Sequence, residues 1–446
     1  MKRKRRRLDR NRSDCDGAFD LRTMHSRNRR LLAIVAVVLL TLAGTVVAQS
    51  PTLITLDHAI EMALAHNHSL QATRTLILQS QAQEITANLR PNPSFGADSQ
   101  FIPIFTPNAF SVDDLNLTQQ FDIGISYLFE RGHKRQRRLQ AARDATSVQR
   151  SQVTDAERQL AFNVGQQFIA VLLAESSLKL AEQDLKSFQQ TADIADAQLK
   201  SGYISEADAL KIKLQLLQFQ TDVSSARLAR VQALVGLRGL LGYDTVPADF
   251  DVVGDLAYEP LKPHLEDLQA TALRERPDLK AANQGITAAQ SQILLAKANA
   301  KVDVTGTYDF THTAGQNTAS IFAGFDLPIF NRNQGEIART RYALTQAQEE
   351  QKAASDSVMS DVLDAYEAAR SNDEIVQLYI GGYLKQAQDS RDISEYAYKR
   401  GAASLLDFLD AERSYRATQL AYRQALASYM TALEQLKEAV GTRNLP

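Results

Sequence analysis

The sequence predicts a mainly α-helical protein with a small β part, built from two similar halves. Residues 200–242 and 399–441 align without a gap at an offset of 199 residues. Eleven prolines and twenty glycines are few for 446 residues, so most of the chain can form helix. Short regions in each half instead alternate apolar and polar residues with the period of a strand. These observations predict an internal duplication of long antiparallel helical hairpins, with strands between them.

Residues 1–48 are predicted to be a signal peptide. Leu31–Val47 is apolar, follows basic residues and ends in small residues before Gln49. A membrane-anchoring helix is the alternative, because an apolar run of about 18 residues can just span a bilayer. Met24 lies where such a signal would begin, so we interpret residues 1–23 as the product of a start codon assigned too early. The basic cluster there has a nucleic-acid-binding arm as its alternative reading.

Composition argues against several functions. The formal net charge of −2 argues against a nucleic-acid partner. The single cysteine, Cys15, precedes the apolar signal segment, so we expect the exported chain to have no disulfide, thiol nucleophile, thiolate metal site or lipid-anchoring cysteine. Phosphate-binding glycine loops and the HExxH and GxSxG motifs are absent from the sequence. We therefore predict no enzyme activity, no catalytic or metal-binding residues and no cofactor.

The duplication sets the predicted domain boundaries. The segments starting at residues 56 and 265 also match, at an offset of 209 residues, and Ser69 and Asp278 fall at equivalent places as predicted N-caps. Because the offset changes from 209 to 199, the loops must absorb ten residues. The sequence predicts one structural repeat over 52–242, a linker over 243–263 and a second repeat over 264–441.

Four strands are predicted, two in each repeat. They lie at about 93–105, 117–129, 302–312 and 319–329. One apolar and one polar face suit the wall of a membrane barrel, with lipid outside and water inside, whereas a half-buried soluble sheet is the alternative. Four strands cannot close a barrel, so a barrel would have to be shared between chains.

Each strand pair precedes a very long helix. Residues 132–200 and 334–399 contain no proline, and a helix of that length extends about 100 Å. Narrow apolar stripes in these segments favour side-by-side, coiled-coil packing. The sequence therefore predicts long hairpins over 132–242 and 334–441. Their weak points are glycines: Gly132, Gly165, Gly335, Gly381 and Gly382.

Three motifs carry a resemblance to a known family. FDLPIFNRNQGEIA (325–338) lies at a strand-to-helix junction, SGYISEADAL begins the first hairpin tip at Ser201, and RGAASLLDFLDAERSY begins the second at Arg400. With the duplicated plan, they make residues 52–441 resemble the outer-membrane factor family, the TolC-like channels of efflux and type I secretion systems. The LPIFNRNQG motif is most similar to the subgroup that serves divalent-cation pumps.

The resemblance implies a homotrimer in the outer membrane of a Gram-negative-type bacterium. Three chains would form a transmembrane β-barrel of twelve strands in contact with outer-membrane lipid, and their hairpins would form an α-barrel extending into the periplasm, with the linker in its equatorial region. The implied function is passive exit of substrates delivered by an inner-membrane pump, of the resistance-nodulation-division type, and a periplasmic adaptor (membrane fusion) protein.

The resemblance also assigns site residues. Asp407 and Asp410 match carboxylates of the pore constriction, and Asp208 and Tyr398 match gating positions, whereas Ala403 replaces an arginine that forms gate bonds in some members. A ring of such carboxylates would favour cations, and crowding would raise some of their pKa values; two solvated helix acids are the alternative. The adaptor-docking tips would comprise Gly202, Tyr203, Ile204, Ser205, Gly401, Ala402, Ser404 and Leu405.

Two other motifs are interpreted as structural. His66 and His68, two apart on a helix, would point away from each other, so we read them as helix-end residues and not metal ligands. The basic run at 131–138 is interpreted as a solvated or headgroup-facing cluster rather than a nucleic-acid patch. Two other functions stay open: a periplasmic coiled-coil structural protein, and a secreted enzyme of unrecognised type.

Overall fold

The computed structural model describes residues 52–102, 105, 111–113 and 119–445. The predicted signal peptide at 1–48 lies outside these residues, as do parts of the predicted strands at 103–104 and 117–118. Among the helices within the described residues, none combines the length and the apolar character needed to cross a membrane.

The chain folds into nine helices and six strands over the described residues, and the same order of elements occurs twice. The first half contains β1 (Leu53–Ile54), α1 (Leu56–His66), α2 (His68–Asn88), β2 (Ser94–Gln100), β3 (Gln120–Phe129), α3 (Lys134–Lys200) and α4 (Glu206–Leu241). The second contains β4 (Asp251–Val252), α5 (Leu265–Glu275), α6 (Pro277–Asn299), β5 (Val304–Thr313), β6 (Gln316–Gly324), α7 (Gln334–Leu378), α8 (Leu384–Lys399) and α9 (Leu405–Val440).

The two long helices differ in continuity. α3 runs for 67 residues without interruption, about 100 Å at 1.5 Å per residue. The segment predicted as one helix over 334–399 is instead divided by a π-helical turn at Tyr379–Tyr383, which separates α7 from α8. Gly382 in this turn has a φ of 157°, a conformation that residues with a Cβ rarely adopt. The double glycine explains why the second helix breaks and the first does not.

The helices pack side by side in two rows that share α3 and α7. One row runs α2, α3, α6, α7, and the other runs α4, α3, α9 and then α7 with α8. Core clusters lie between neighbours in these rows. One contains Val164, Phe168 and Leu237, and its counterpart in the second half contains Val358, Val362 and Leu436. Narrow clusters of this kind are what the apolar stripes predict, because within a row a helix contacts at most one helix on either side.

The four longer strands form one antiparallel sheet in the order β2-β3-β5-β6, so that the strands of the two halves meet at β3 and β5. Ile125 on β3 pairs with Phe95 on β2 and with Tyr308 on β5. β2 ends five residues before the predicted boundary of 105, at Gln100, because Phe101 has a φ of 57° and leaves the extended conformation. β6 ends at Gly324 rather than 329.

The predicted helix caps are wrong in both halves. Asn67, not Ser69, caps α2, and its side chain accepts a hydrogen bond from the Leu70 amide at 3.0 Å. A single residue joins α1 to α2, so the second helix begins before Ser69. In the second half Pro277 occupies the first helical position, where it needs no amide hydrogen, and Asp278 lies inside the first turn.

The basic run at 131–138 is not simply solvated. Lys134 is only 8% exposed, and its ammonium lies 2.6 Å from Asp303 Oδ2, just before β5. Arg138 forms an ion pair with Glu130 and donates to the Leu89 carbonyl at 3.2 Å. These two cations fix the junction between the sheet and α3, which the sequence pattern could not show because Asp303 is distant along the chain.

Candidate functional site

The two hairpin tips have the same backbone geometry. Gly202 and Gly401 have φ values of 75° and 71°, a left-handed conformation that favours glycine. The Tyr203 amide donates to the Gln198 carbonyl at 2.9 Å, and the Ala402 amide donates to the Ala397 carbonyl at 2.9 Å. Each tip thus ends its helix with the glycine-centred hydrogen-bond pattern of a Schellman motif. The duplication observed in the sequence therefore extends to the turn geometry.

The predicted gate residue Asp208 and constriction residue Asp407 occupy equivalent places in helix caps. Ser205 Oγ accepts from the Asp208 amide at 3.1 Å, and Ser404 Oγ accepts from the Asp407 amide at 3.2 Å. Asp407 in turn accepts from the Ser404 amide at 3.1 Å, which completes a capping box. Hydrogen bonds from the serine side chains lower the pKa of both carboxyls. Each acid is therefore held ionised within its own chain.

Asp410 lies one turn further along α9. Its carboxylate is exposed and lies 3.0 Å from Arg413 Nη1. A cation beside the carboxylate offsets part of its charge, although an exposed pair of this kind is weak. Within one chain the two predicted constriction acids therefore differ, because Asp407 is held in a helix cap and Asp410 forms an exposed ion pair with Arg413.

The predicted gate residue Tyr398 lies inside an apolar cluster near the tips. Its ring stacks on Phe408, with centroids 5.4 Å apart and planes at 6°. Its hydroxyl is buried and has no hydrogen-bond partner among the described residues. Burial raises the pKa of Tyr398, and the nearby Asp208 carboxylate raises it further. The structure thus brings Asp208 and Tyr398 of the two hairpins near each other without a hydrogen bond between them.

The predicted docking residues are mostly at the surface, with one exception. Tyr203 is 84% exposed, and Gly202, Ser205, Gly401, Ala402 and Ser404 are also exposed or partly so. Leu405 is buried, because it is the first residue of α9 and its side chain packs in the same cluster as Phe188 and Phe408. Ile204 is half-buried against this cluster. We therefore correct the tip surface by removing Leu405 from it.

Sequence reasoning missed a set of ionic contacts between the hairpins. Arg416 on α9 lies 3.3 Å from Asp184 Oδ2 on α3 and also pairs with Asp222 on α4. No local pattern in the sequence signals these contacts, because the partners of Arg416 are 232 and 194 residues away.

His66 and His68 lie at the end of α1 and the start of α2. Within the described part of the chain, no group of three or more His, Cys, Asp or Glu side chains is arranged to hold a metal ion.

Comparison with known proteins identifies the family. The family model for outer membrane efflux proteins matches residues 59–243 and 268–442, which together make up most of the chain. The chain belongs to the outer membrane efflux protein family. It is 22% identical to the cobalt-zinc-cadmium resistance protein CzcC of Cupriavidus metallidurans, covering 87% of this chain and 90% of that protein. It is 24% identical to the pyoverdine export outer membrane protein OpmQ of Pseudomonas putida, covering 86% and 85%.

The fold agrees with this assignment. A crystal structure of CusC matches with a TM-score of 0.71 at 20% identity, covering 87% of this chain and 92% of that chain. Members of this TolC-like family are non-enzymatic efflux channels of the outer membrane, and this protein is one of them. It is located in the outer membrane and has a long periplasmic extension. Family members work as trimers with periplasmic adaptors and inner-membrane pumps.

Proposed function

We propose that this chain forms the trimeric exit channel of a tripartite efflux system, or of a type I secretion system, and passively conducts substrates delivered by an inner-membrane pump and a periplasmic adaptor. The observation that carries the proposal is the open-ended arrangement of the helix rows. α4 and α8 end one row, and α2 and α7 end the other. A row of four helices that stops at apolar helices needs further neighbours.

The end helix α4 carries the clearest unpaired stripe. Exposed leucines and valines recur at spacings of three and four in two segments, with Thr221 and Ser224 at the equivalent positions between them, and all are at least half exposed: Leu210, Leu214, Leu217, Leu228, Val231 and Val235. α2 has a shorter stripe containing Leu78 and Ile85, and the opposite end of the rows exposes Leu378, Ile393 and Tyr396. Such a stripe is the seam of a coiled coil. Three copies would close each row into a ring of twelve helices.

The sheet supports the same assembly. β2 and β6 are its edge strands, and one face exposes large apolar side chains such as Phe95, Ile125 and Ile321. Open edges invite pairing with another chain. Four strands from each of three chains would close a barrel of twelve, with the apolar face toward outer-membrane lipid.

We further propose that the cargo is a metal cation and that the pump is of the resistance-nodulation-division type. The FNRNQG motif and the similarity to CzcC support a cation cargo, whereas OpmQ exports pyoverdine.

The adaptor would dock at the exposed tips around Tyr203 and Ala402, and Asp208 with Tyr398 would contribute to the gate. Asp407 and Asp410 from three chains would line the constriction and attract cations.

The test is native mass spectrometry of protein extracted from outer membranes, followed by conductance in planar bilayers. We expect a trimer that conducts cations in preference to anions and is blocked by divalent ions.

In Asp410→Asn the cation preference and the block by divalent ions should both decrease. Asp193→Asn changes an exposed acid on α3 and should behave as wild type. A soluble monomer would overturn the channel and favour a coiled-coil structural protein. Unchanged selectivity in the Asp410 variant would remove the constriction ring.

A further inference from the structure

Four helices, α3, α4, α8 and α9, enclose a group of charged side chains. The group lies along these helices between the hairpin tips and the β-sheet. This charge cluster comprises Asp184 on α3, Asp222 on α4, Arg391 on α8, and Glu412 and Arg416 on α9. Arg416 is its centre, since it pairs with Asp184 and Asp222, and its guanidinium lies 4.0 Å from the centroid of the Phe219 ring. Both aspartates are therefore matched by a cation.

Glu412 is the unmatched member of the charge cluster. It is 9% exposed, and no hydrogen bond or ion pair engages its carboxyl within the described part of the chain. Glu412 lies one helical turn before Arg416, on the same side of α9. It follows the exposed Asp410 by two residues and therefore points to the opposite side of the helix from Asp410. Because Glu412 is already buried within one chain, assembly with other copies is not needed to explain its environment.

The cations near Glu412 are engaged elsewhere. Arg391 on α8 lies 2.7 Å from Asp392 Oδ1, and its guanidinium stacks at 4.6 Å on the Tyr415 ring. Its Nε is buried without a hydrogen-bond partner among the described residues. Arg416 pairs with Asp184 and Asp222, and its positive charge also acts on Glu412. Asp184 on α3 and Glu395 on α8, the latter paired with Lys399 at 2.6 Å, face Glu412 as like charges. Arg391 and Arg416 offset part of the charge of an ionised Glu412, but the carboxylate is largely removed from solvent and accepts no hydrogen bond from them, which makes ionisation unfavourable.

We propose that Glu412 is a proton-controlled switch for the second hairpin: its neutral carboxyl permits close packing of α9 on α3 and α8, and its ionisation favours separation of these helices. The effect on the packing of α9 stands by itself, and its consequence for channel opening rests on the proposed function. Movement has a structural basis, because the π-helical turn at Tyr379–Tyr383 joins α8 to α7 and helix defects of this kind are places where a helix bends.

The direction of the pH dependence follows from the environment. Burial raises the pKa of Glu412, Arg391 partly offsets this, and Asp184 adds to the rise. In a separated, hydrated arrangement the pKa returns to its ordinary value. The protonated Glu412 carboxyl therefore stabilises close packing fully at pH values below the ordinary pKa of a glutamate. This stabilisation is lost as the pH rises through the raised pKa of the packed state. One such proton changes the ratio of separated to packed hairpins by at most about tenfold per pH unit in each chain.

Hydrogen-deuterium exchange of the full-length protein tests the switch without relying on transport. The amides of residues 405–425 would be compared between pH 5 and pH 8 in wild type, Glu412→Gln and Glu374→Gln, the last being an exposed glutamate on α7. At pH 8 we expect several-fold slower exchange in Glu412→Gln than in wild type, and a smaller difference between the two at pH 5. Amide exchange in Glu374→Gln should match that of wild type at both pH values. If the glutamine variant folds poorly, Glu412→Leu should also lose the pH dependence.

Opening frequency in bilayers gives the second readout. It should rise with pH in wild type and stay flat in Glu412→Gln. If wild type and Glu412→Gln show the same change in exchange with pH, the switch is wrong, even if the protein is a trimeric channel. If the exchange behaves as expected but no channel forms, the proposed function fails and the switch stands. Faster exchange in Glu412→Gln at pH 8 would also overturn the switch, since it would mean that the ionised carboxylate stabilises the packing.

Discussion

At the scale of single residues, Arg276 joins three helices through one buried charge. It is 5% exposed at the start of α6, lies 2.7 Å from Asp361 Oδ2 on α7 and donates to the Ala439 carbonyl on α9 at 3.3 Å. Burial alone would lower the pKa of Arg276, but hydrogen bonds to Asp278 and Asp361 more than offset this and raise it. A buried cation with this many partners is costly to remove, because its partners stay behind unpaired.

We expect Arg276→Met to lower the free energy of unfolding by about 2–3 kcal/mol, less than a fully buried pair would, because Asp361 is partly exposed. Arg274→Met is the matched control, since Arg274 is exposed on the preceding helix and pairs only with its neighbour Glu275 among the described residues. Denaturant unfolding in detergent measures both variants. Equal stability of the two would show that the buried ion pairs contribute little.

Residue-scale detail was only partly predictable. The glycines at both tips were visible as a sequence pattern, because a glycine turn depends on neighbours within a few residues, whereas the caps predicted at Ser69 and Asp278 were wrong. Burial of Leu405, and the ion pair of Lys134 with Asp303, depend on side chains that are distant along the chain. Local patterns carry no information about such partners.

At the scale of elements, the break between α7 and α8 distinguishes the two otherwise similar halves. The equivalent part of α3 is continuous, whereas the π-helical turn contains Gly381 and Gly382. A Cβ added at Gly381 would meet no heavy atom within 4 Å, whereas Gly382 has the unusual φ. Adjacent glycines therefore have different structural demands.

We expect Gly382→Ala to destabilise the second hairpin by about 1–3 kcal/mol, because alanine would be strained at this φ. Gly381→Ala should be neutral or stabilise by up to about 1 kcal/mol, since its backbone is helical and alanine restricts the unfolded chain. Thermal unfolding of each variant, with exchange of residues 375–390, measures the effect. A Gly382 variant as stable as wild type would mean that the turn converts to regular helix without strain.

At the scale of the whole molecule, the two helix rows leave their end helices without neighbours on one side. The exposed stripe on α4 has two apolar segments, Leu210–Leu217 and Leu228–Val235. Its seven-residue pattern specifies the side on which a partner helix would pack.

We expect Leu228→Glu to reduce the trimer fraction strongly, because each interface would bury an unpaired carboxylate. Ala229→Glu is the matched control, since Ala229 is also exposed but faces about 100° away on α4. Native mass spectrometry at equal protein concentration compares them. A stable trimer of the Leu228 variant would place the assembly interface elsewhere.

The helical class, the duplication, the tip turns and the family could all be read from the sequence alone, because they follow from local periodicity, turn residues and internal repetition. The resemblance to the family, and not local periodicity, assigned Asp208 and Tyr398 to the tip regions. The pairing of the strands, the end of α7 and the charges that meet between α3, α4, α8 and α9 became known only from the folded chain. The physical reason is that packing brings together residues about 200 positions apart, and a charge such as Glu412 acquires its properties from burial among those distant neighbours.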